Sequence, residues 1–224
     1  MPGKKRQSSK KLQTMMVSKD MTILTKKYNR LRKVTGEVLV TDFESLIAIP
    51  RSDNLNDWLI INLVDFLERV ELLFSSCSLF CTPDTCPMFN AGPHYHYLWE
   101  DADTEQPIQL SAPEYFSVLK RWIKRNLQNS KLFPKQSGSD LSPEAIEILK
   151  SAYRRLFRIL AHLYMCHFNS IREFKFEVVL NTVLAHYTIF ALRYEMITPQ
   201  HIEMLQPVFV AMNMPLPGIP QDEE

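Results

Sequence analysis

Apolar residues recur at helical spacing from Leu55 to Phe74. At about 100° per residue, Leu59, Leu63, Phe66, Leu67, Val70, Leu73 and Phe74 fall on one stripe, which should face the core. Asn54 stands in front of the run as a candidate N-cap. The opposite side interleaves Asp57, Asp65 and Glu68 with Ile61, Val64 and Leu72, a mixture that water alone does not favour. Two readings follow. Acidic groups around exposed apolar side chains suit a basic amphipathic helix from a partner, the charges steering and the apolar groups supplying contact area. Alternatively, a neighbouring element of the same chain covers Ile61 and Val64.

The same reasoning predicts further helices. Ser111 and Glu114 have capping-box spacing ahead of Phe116, Leu119, Ile123 and Leu127 on one side. Ser142, with Pro143 at the first helical position, opens a third long helix predicted to run to about Phe168, and a fourth is expected over roughly 170–195. Thr198 and Pro199 start a fifth, which Pro207 should bend or shorten. Residues 75–110 are the least helical. There His94 to Trp99 alternate, and a turn at Asp101 to Asp103 leads to Ile108 and Leu110, as in a small hairpin. The expected class is all-α: a four-helix-bundle core with additional helices, a small β-hairpin and, from the residues discussed below, a structural zinc site.

Length changes this picture little, because 224 residues suffice for one domain with a substantial core. Charge changes it more. The net charge of +1 conceals eleven Lys and Arg against Asp20 alone in residues 1–33, a balance of +10, and 15 bases against 24 acids in the rest, a balance of −9. The expected organisation is a basic tail over 1–27 without apolar periodicity, a helical domain over 28–213, and an acidic, Pro-rich tail over 214–224. The basic tail suits nucleic acid, a nuclear signal or simple solvation. No run of eighteen apolar residues exists, so no membrane-spanning helix is expected, and the N-terminus lacks the apolar core of a secretory signal. Four cysteines in such a chain read as metal ligands or buried thiols more readily than as a disulfide framework.

Cys81 and Cys86, in the Pro-stiffened loop CTPDTC, and His162 and His167, on the third long helix, supply the thiolates and imidazoles that tetrahedral zinc takes. Between the pairs lie 75 residues, far more than in a zinc finger. Helical geometry also leaves a rival. On a straight helix His162 and His167 point about 140° apart, and His162 and Cys166 only about 40° apart. Long imidazoles reconcile the first pairing; the second needs no adjustment. His94 and His96, on one side of the hairpin, are a further candidate pair or simply exposed histidines. Arg154, Arg155 and Arg158 cluster on the third long helix, where guanidinium forks suit a phosphate, or else pair with nearby acids such as Glu144 and Glu147.

Several motifs in one order resemble the Mob family of kinase co-activators over about residues 28–212: LNDW at 55–58, VDF at 64–66, FCTPDTCP at 80–87, AGPHYHYLW at 91–99, SAPEY at 111–115, LFP at 132–134, RRLFRILAHLY at 154–164 and HF at 167–168. The resemblance implies a mostly helical fold around a four-helix bundle, with structural Zn2+ held by Cys81, Cys86, His162 and His167. It also implies binding of the basic N-terminal regulatory helices of NDR/LATS-type kinases through Asp53, Asp57, Trp58, Ile61 and Asp65. Arg154, Arg155 and Arg158 match the family's pocket for phosphopeptides of upstream Hippo-type kinases. Asn54 departs from an acid in the family's EDLNEW motif, and the subgroup is left open between members that bind NDR alone and those that also bind LATS. Thr25, Thr35 and Thr41 are the candidate phosphoacceptors.

The expected function is therefore a non-catalytic adaptor and kinase co-activator, cytoplasmic, with the nucleus and spindle poles as further sites. A zinc hydrolase would need an open coordination position and a base, which four protein ligands do not leave. A nucleic-acid binder using the basic tail is the alternative, against which the acidic body would repel phosphate backbones.

Overall fold

Each long helix begins where the sequence carries its cap. In the structure, a computed structural model describing residues 38–40, 42–214 and 216, the Asn54 side chain accepts the Asp57 N–H at 2.8 Å and opens a helix over Leu55–Ser76. We call this α2, a short helix over Phe43–Ile47 being α1. Helix α3 spans Ala112–Leu127 behind the Ser111/Glu114 capping box, and α4 spans Pro143–Glu173, where Ser142 Oγ accepts the Ala145 N–H. Helix α5 covers Glu177–Arg193, α6 Pro199–Ile202 and α7 Gln206–Ala211, a 3-10 turn at Glu203–Leu205 lying between the last two. Pro207 sits in the first turn of α7, so the expected fifth helix is divided there. The expected tail at 1–27, all of the expected tail at 214–224 except 214 and 216, and the candidate threonines Thr25, Thr35 and Thr41 lie outside the described residues.

Helix α4 is the axis of the four-helix core: it packs on α2, α3 and α5, and α2 also packs on α5. Its fifteen buried positions include Leu149, Leu156, Leu160 and Ile171, and over 159–164 the helix is buried on every side. At the α2/α5 seam Phe66 is fully enclosed, with the His186, Tyr187 and Phe190 rings edge-on to it at 4.8, 4.9 and 5.4 Å. Two buried tyrosine hydroxyls find backbone acceptors: Tyr153 donates to the Leu59 carbonyl at 2.8 Å, and Tyr187 donates to the Tyr153 carbonyl. These bonds join α2, α4 and α5 through the core.

Two expectations need correction. Helix α4 continues past Phe168 to Glu173 because Ile171 extends its buried stripe, and α5 starts at 177 instead of 170. The break is made by Lys175 at φ 63°, with the Phe176 N–H on the Ile171 carbonyl and the Lys175 N–H on the Arg172 carbonyl, the Schellman arrangement. The hairpin is reduced to two isolated antiparallel bridges, Trp99 with Ile108 and Asn90 with His96, and no strand forms among the described residues. Phe89 is the cause. It accepts the Tyr97 N–H and donates to the Leu110 carbonyl, so the next rung of a ladder is filled by a third segment. On the turn side, the Asp101 N–H goes to Thr104 Oγ1 at 2.9 Å, which ends pairing there.

Candidate metal centre and binding faces

The CTPDTC loop is stiffened by its own threonines. The Thr82 and Thr85 backbone N–H groups each donate to the other's hydroxyl, at 2.9 and 3.2 Å, and Thr85 Oγ1 donates to the Phe80 carbonyl at 2.8 Å. The Cys81 N–H is held by the Cys77 carbonyl beyond the end of α2, and the Cys86 carbonyl accepts the Ala112 N–H at the start of α3. The two thiols are thus presented to α4 from a loop anchored at both ends.

Cys81, Cys86, His162 and His167 are all buried, and their ligand atoms lie within 4.8 Å of one another. Cys81 Sγ to His162 Nε2 and Cys86 Sγ to His167 Nε2 are each 3.4 Å, and the two Nε2 atoms are 3.1 Å apart. A tetrahedron with metal–sulfur near 2.3 Å and metal–nitrogen near 2.05 Å has S–N edges of about 3.6 Å and N–N edges of about 3.3 Å. The donor set fits, and these residues could hold a metal ion. His162 Nδ1 faces the Asn90 carbonyl at 2.7 Å, which places the proton on Nδ1 and leaves Nε2 as the free ligand atom. Burial lowers the His162 pKa and takes His167 down to about 4, with His162 as the second cause, so both imidazoles are neutral as a ligand must be. Burial, then the neighbouring Cys86, push the Cys81 thiol well up; a divalent cation reverses that preference. His167, not Cys166, completes the set. The two histidine rings meet at their Nε2 tips, with planes at 74°, while exposed Cys166 directs its sulfur to Asn90 Oδ1 at 3.2 Å. His96 Nε2 lies 3.0 Å from the Pro93 carbonyl, and neither it nor His94 belongs to a metal-binding group among the described residues.

On α2 the outward apolar residues stay uncovered by the described residues: Ile61 is 54% exposed, Val64 38% and Leu72 73%. The partner-binding candidates divide into two kinds. Asp53 is exposed, and half-buried Asp65 accepts Arg69 Nε at 2.8 Å. Asp57 is absorbed by the fold: its carboxylate takes the Ser137 hydroxyl at 2.6 Å and the Gly138 N–H at 2.9 Å, contacts that hold it below the usual carboxylate range. Trp58 is also turned inward, donating from Nε1 to the Ile47 carbonyl at 3.2 Å against the Phe190 ring.

The arginines divide likewise. Arg155 is clamped between the Trp99 and Trp122 rings, 4.4 and 4.7 Å from their centroids, and donates from Nη2 to the Glu100 carbonyl, its Nη1 buried without a partner among the described residues. Arg158 lies 4.7 Å over the Tyr97 ring and donates to the Tyr115 hydroxyl at 3.2 Å. Neither Arg154 nor Arg158 is ion-paired among the described residues, so the acids Glu144 and Glu147 do not neutralise them; Glu147 pairs with Lys150. Three residues had no signal in the spacing: Asn90, which orients His162; Trp122, which closes on Arg155; and His186, buried with both ring nitrogens unpartnered among the described residues.

The Mob1/phocein family model matches residues 37–205. MOB kinase activator-like 1B of Arabidopsis thaliana is 36% identical over 170 residues, 75% of this chain and 79% of that protein. MOB kinase activator-like 1 homolog C of Dictyostelium discoideum is 31% identical over 204 residues, 91% and 94% of the two.

Proposed function

Because the chain belongs to the Mob1/phocein family, whose members support a kinase co-activator role, we propose that it is a non-catalytic adaptor gripping the basic N-terminal regulatory helices of an NDR/LATS-type kinase. The observation that carries the reading is Ile61, 54% exposed one turn before Asp65 on a capped helix whose other side is fully packed. An apolar knob beside carboxylates on a rigid element suits a cationic amphipathic helix. Binding activates only by favouring one state of the kinase.

The metal in this reading is Zn2+, for which two thiolates and two imidazoles in a tetrahedron are the fitting donors. Four protein ligands fill its coordination, so the ion ties the CTPDTC loop to α4 and offers no place to a substrate. The adaptor also takes phosphopeptides of upstream Hippo-type kinases on α4, with Arg154 and Arg158 binding and Arg155 holding the Trp99 loop beside them. Its place is the cytoplasm. The body from residue 34 onward carries −9, which disfavours nucleic acid.

Asp57 is a poor probe of the kinase contact, since removing it also unlatches the 137–138 turn. The test is Ile61→Asp with Asp65→Lys, titrated with a kinase N-terminal regulatory peptide. At least a tenfold loss of affinity with an unchanged melting temperature is expected; equal affinity removes the reading.

A further inference from the structure

His201 lies three residues after Thr198, in the position where a helix start usually carries Glu or Gln. Its Nδ1 accepts the Thr198 backbone N–H at 3.0 Å and stands 2.8 Å from the Thr198 hydroxyl. An Nδ1 that accepts a backbone N–H carries no proton, so the proton of the neutral ring is on Nε2. Nε2, on the far side of the ring from Thr198, has no protein partner among the described residues. The ring is thereby fixed as a neutral donor whose N–H is not taken by any of the described residues.

Its surroundings are cationic. Burial, then Arg154 and Arg158, lower the His201 pKa, which favours the neutral ring. Side-chain contacts bring the same segments together: Arg158 covers the Tyr97 ring, and the Tyr97 hydroxyl reaches Met204 Sδ at 3.9 Å in the turn that follows His201. Arg154 stands one turn before Arg158 on the same helix. Two guanidiniums with no ion pair among the described residues and an oriented ring N–H are thus brought together from separate elements.

We propose that His201 is a third anchor of the anion site on α4, donating its Nε2–H to an oxygen of a phosphate monoester held by Arg154 and Arg158. The inference rests on the phosphopeptide reading above and adds a residue to it. Three donors from two elements match the three free oxygens of a phosphorylated side chain better than two forks on one helix. The cap that pins Nδ1 spares the ring the ordering cost of choosing a tautomer and orientation on binding.

The test is nitrogen NMR of the full chain, observing the histidine rings and arginine side chains during titration with inorganic phosphate and then a phosphothreonine peptide. The expected result is an Nε2–H tautomer at His201 whose signal moves along the same saturation curve as those of Arg154 and Arg158. His201→Gln, which retains a capping group, should bind the peptide about threefold to tenfold more weakly with an unchanged melting temperature. If the arginine signals respond while the His201 ring stays silent and His201→Gln binds as well as wild type, His201 is only a cap: the inference falls and the phosphopeptide reading stands. If no signal on α4 responds to either probe, both fall.

Discussion

At the Cys81/Cys86/His162/His167 centre the four ligand atoms lie within 4.8 Å of one another, and all four residues are buried. Along the outward side of α2, Ile61, Val64 and Leu72 stand in solvent with Asp65 beside them, and nothing in the described residues closes over them. The contrast separates groups that the fold has used from groups that it has left available. It also cuts through residues of one type. Asp57 is spent on the 137–138 turn and Asp65 only on a surface pair with Arg69; Arg155 is spent on two indoles, whereas Arg154 and Arg158 are not ion-paired. A side chain's value as a binding group follows from what it already touches, because a group satisfied within the fold must give up those contacts to engage a ligand.

The sharpest way to break this contrast is at the metal centre. Cys81→Ser or His162→Ala should abolish bound metal, measured by elemental analysis, and lower the melting temperature by about 10 °C or more, since ligand-binding free energy there is folding free energy. Full metal content and an unshifted transition would make the centre an ordinary buried cluster.

Next comes His186, the buried histidine whose ring nitrogens have no hydrogen-bond partner among the described residues. Its pKa falls from 6.5 to about 4, first through burial and then through Arg69, so the folded state holds it neutral. Its contribution is fully present above pH 6.5 and is lost as pH falls towards about 4, because the unfolded chain binds the proton first. The shift corresponds to about 3 kcal/mol at most. His186→Leu should flatten denaturant stability between pH 6.5 and 4, with metal content followed in parallel to separate this from ligand protonation. An equally steep profile in the variant would assign the acid sensitivity elsewhere.

A smaller effect is expected from Arg155→Lys, which keeps the charge but loses the planar fork between Trp99 and Trp122. About 1–2 kcal/mol of stability should go, seen by urea denaturation with a change in tryptophan fluorescence. No loss would mean that Arg155 is not a packing residue. Smallest of all, Ile61→Asp should alter stability by less than about 0.5 kcal/mol, as for an exposed position outside any cap or network. A cost of several kcal/mol would show that Ile61 is covered after all.

The amino-acid sequence alone determined the helices and their starts, because caps and apolar spacing are local: Asn54, Ser111 and Ser142 each open a helix as their positions demand. It also carried the four candidate ligands, and through motif order the family. Where non-local contacts decide, it failed. The hairpin was lost to Phe89, a residue that inserts from outside the predicted ladder, and α4 outran its expected end because burial of Ile171 is a tertiary fact. Periodicity could state that His162 and His167 diverge, but only the packed loop shows their Nε2 atoms meeting at 3.1 Å with two thiols across from them. The division between used and available groups belongs to tertiary structure entirely, for the partners of Asp57 and Arg155 lie about 80 and 55 residues away along the chain, beyond the reach of any local pattern.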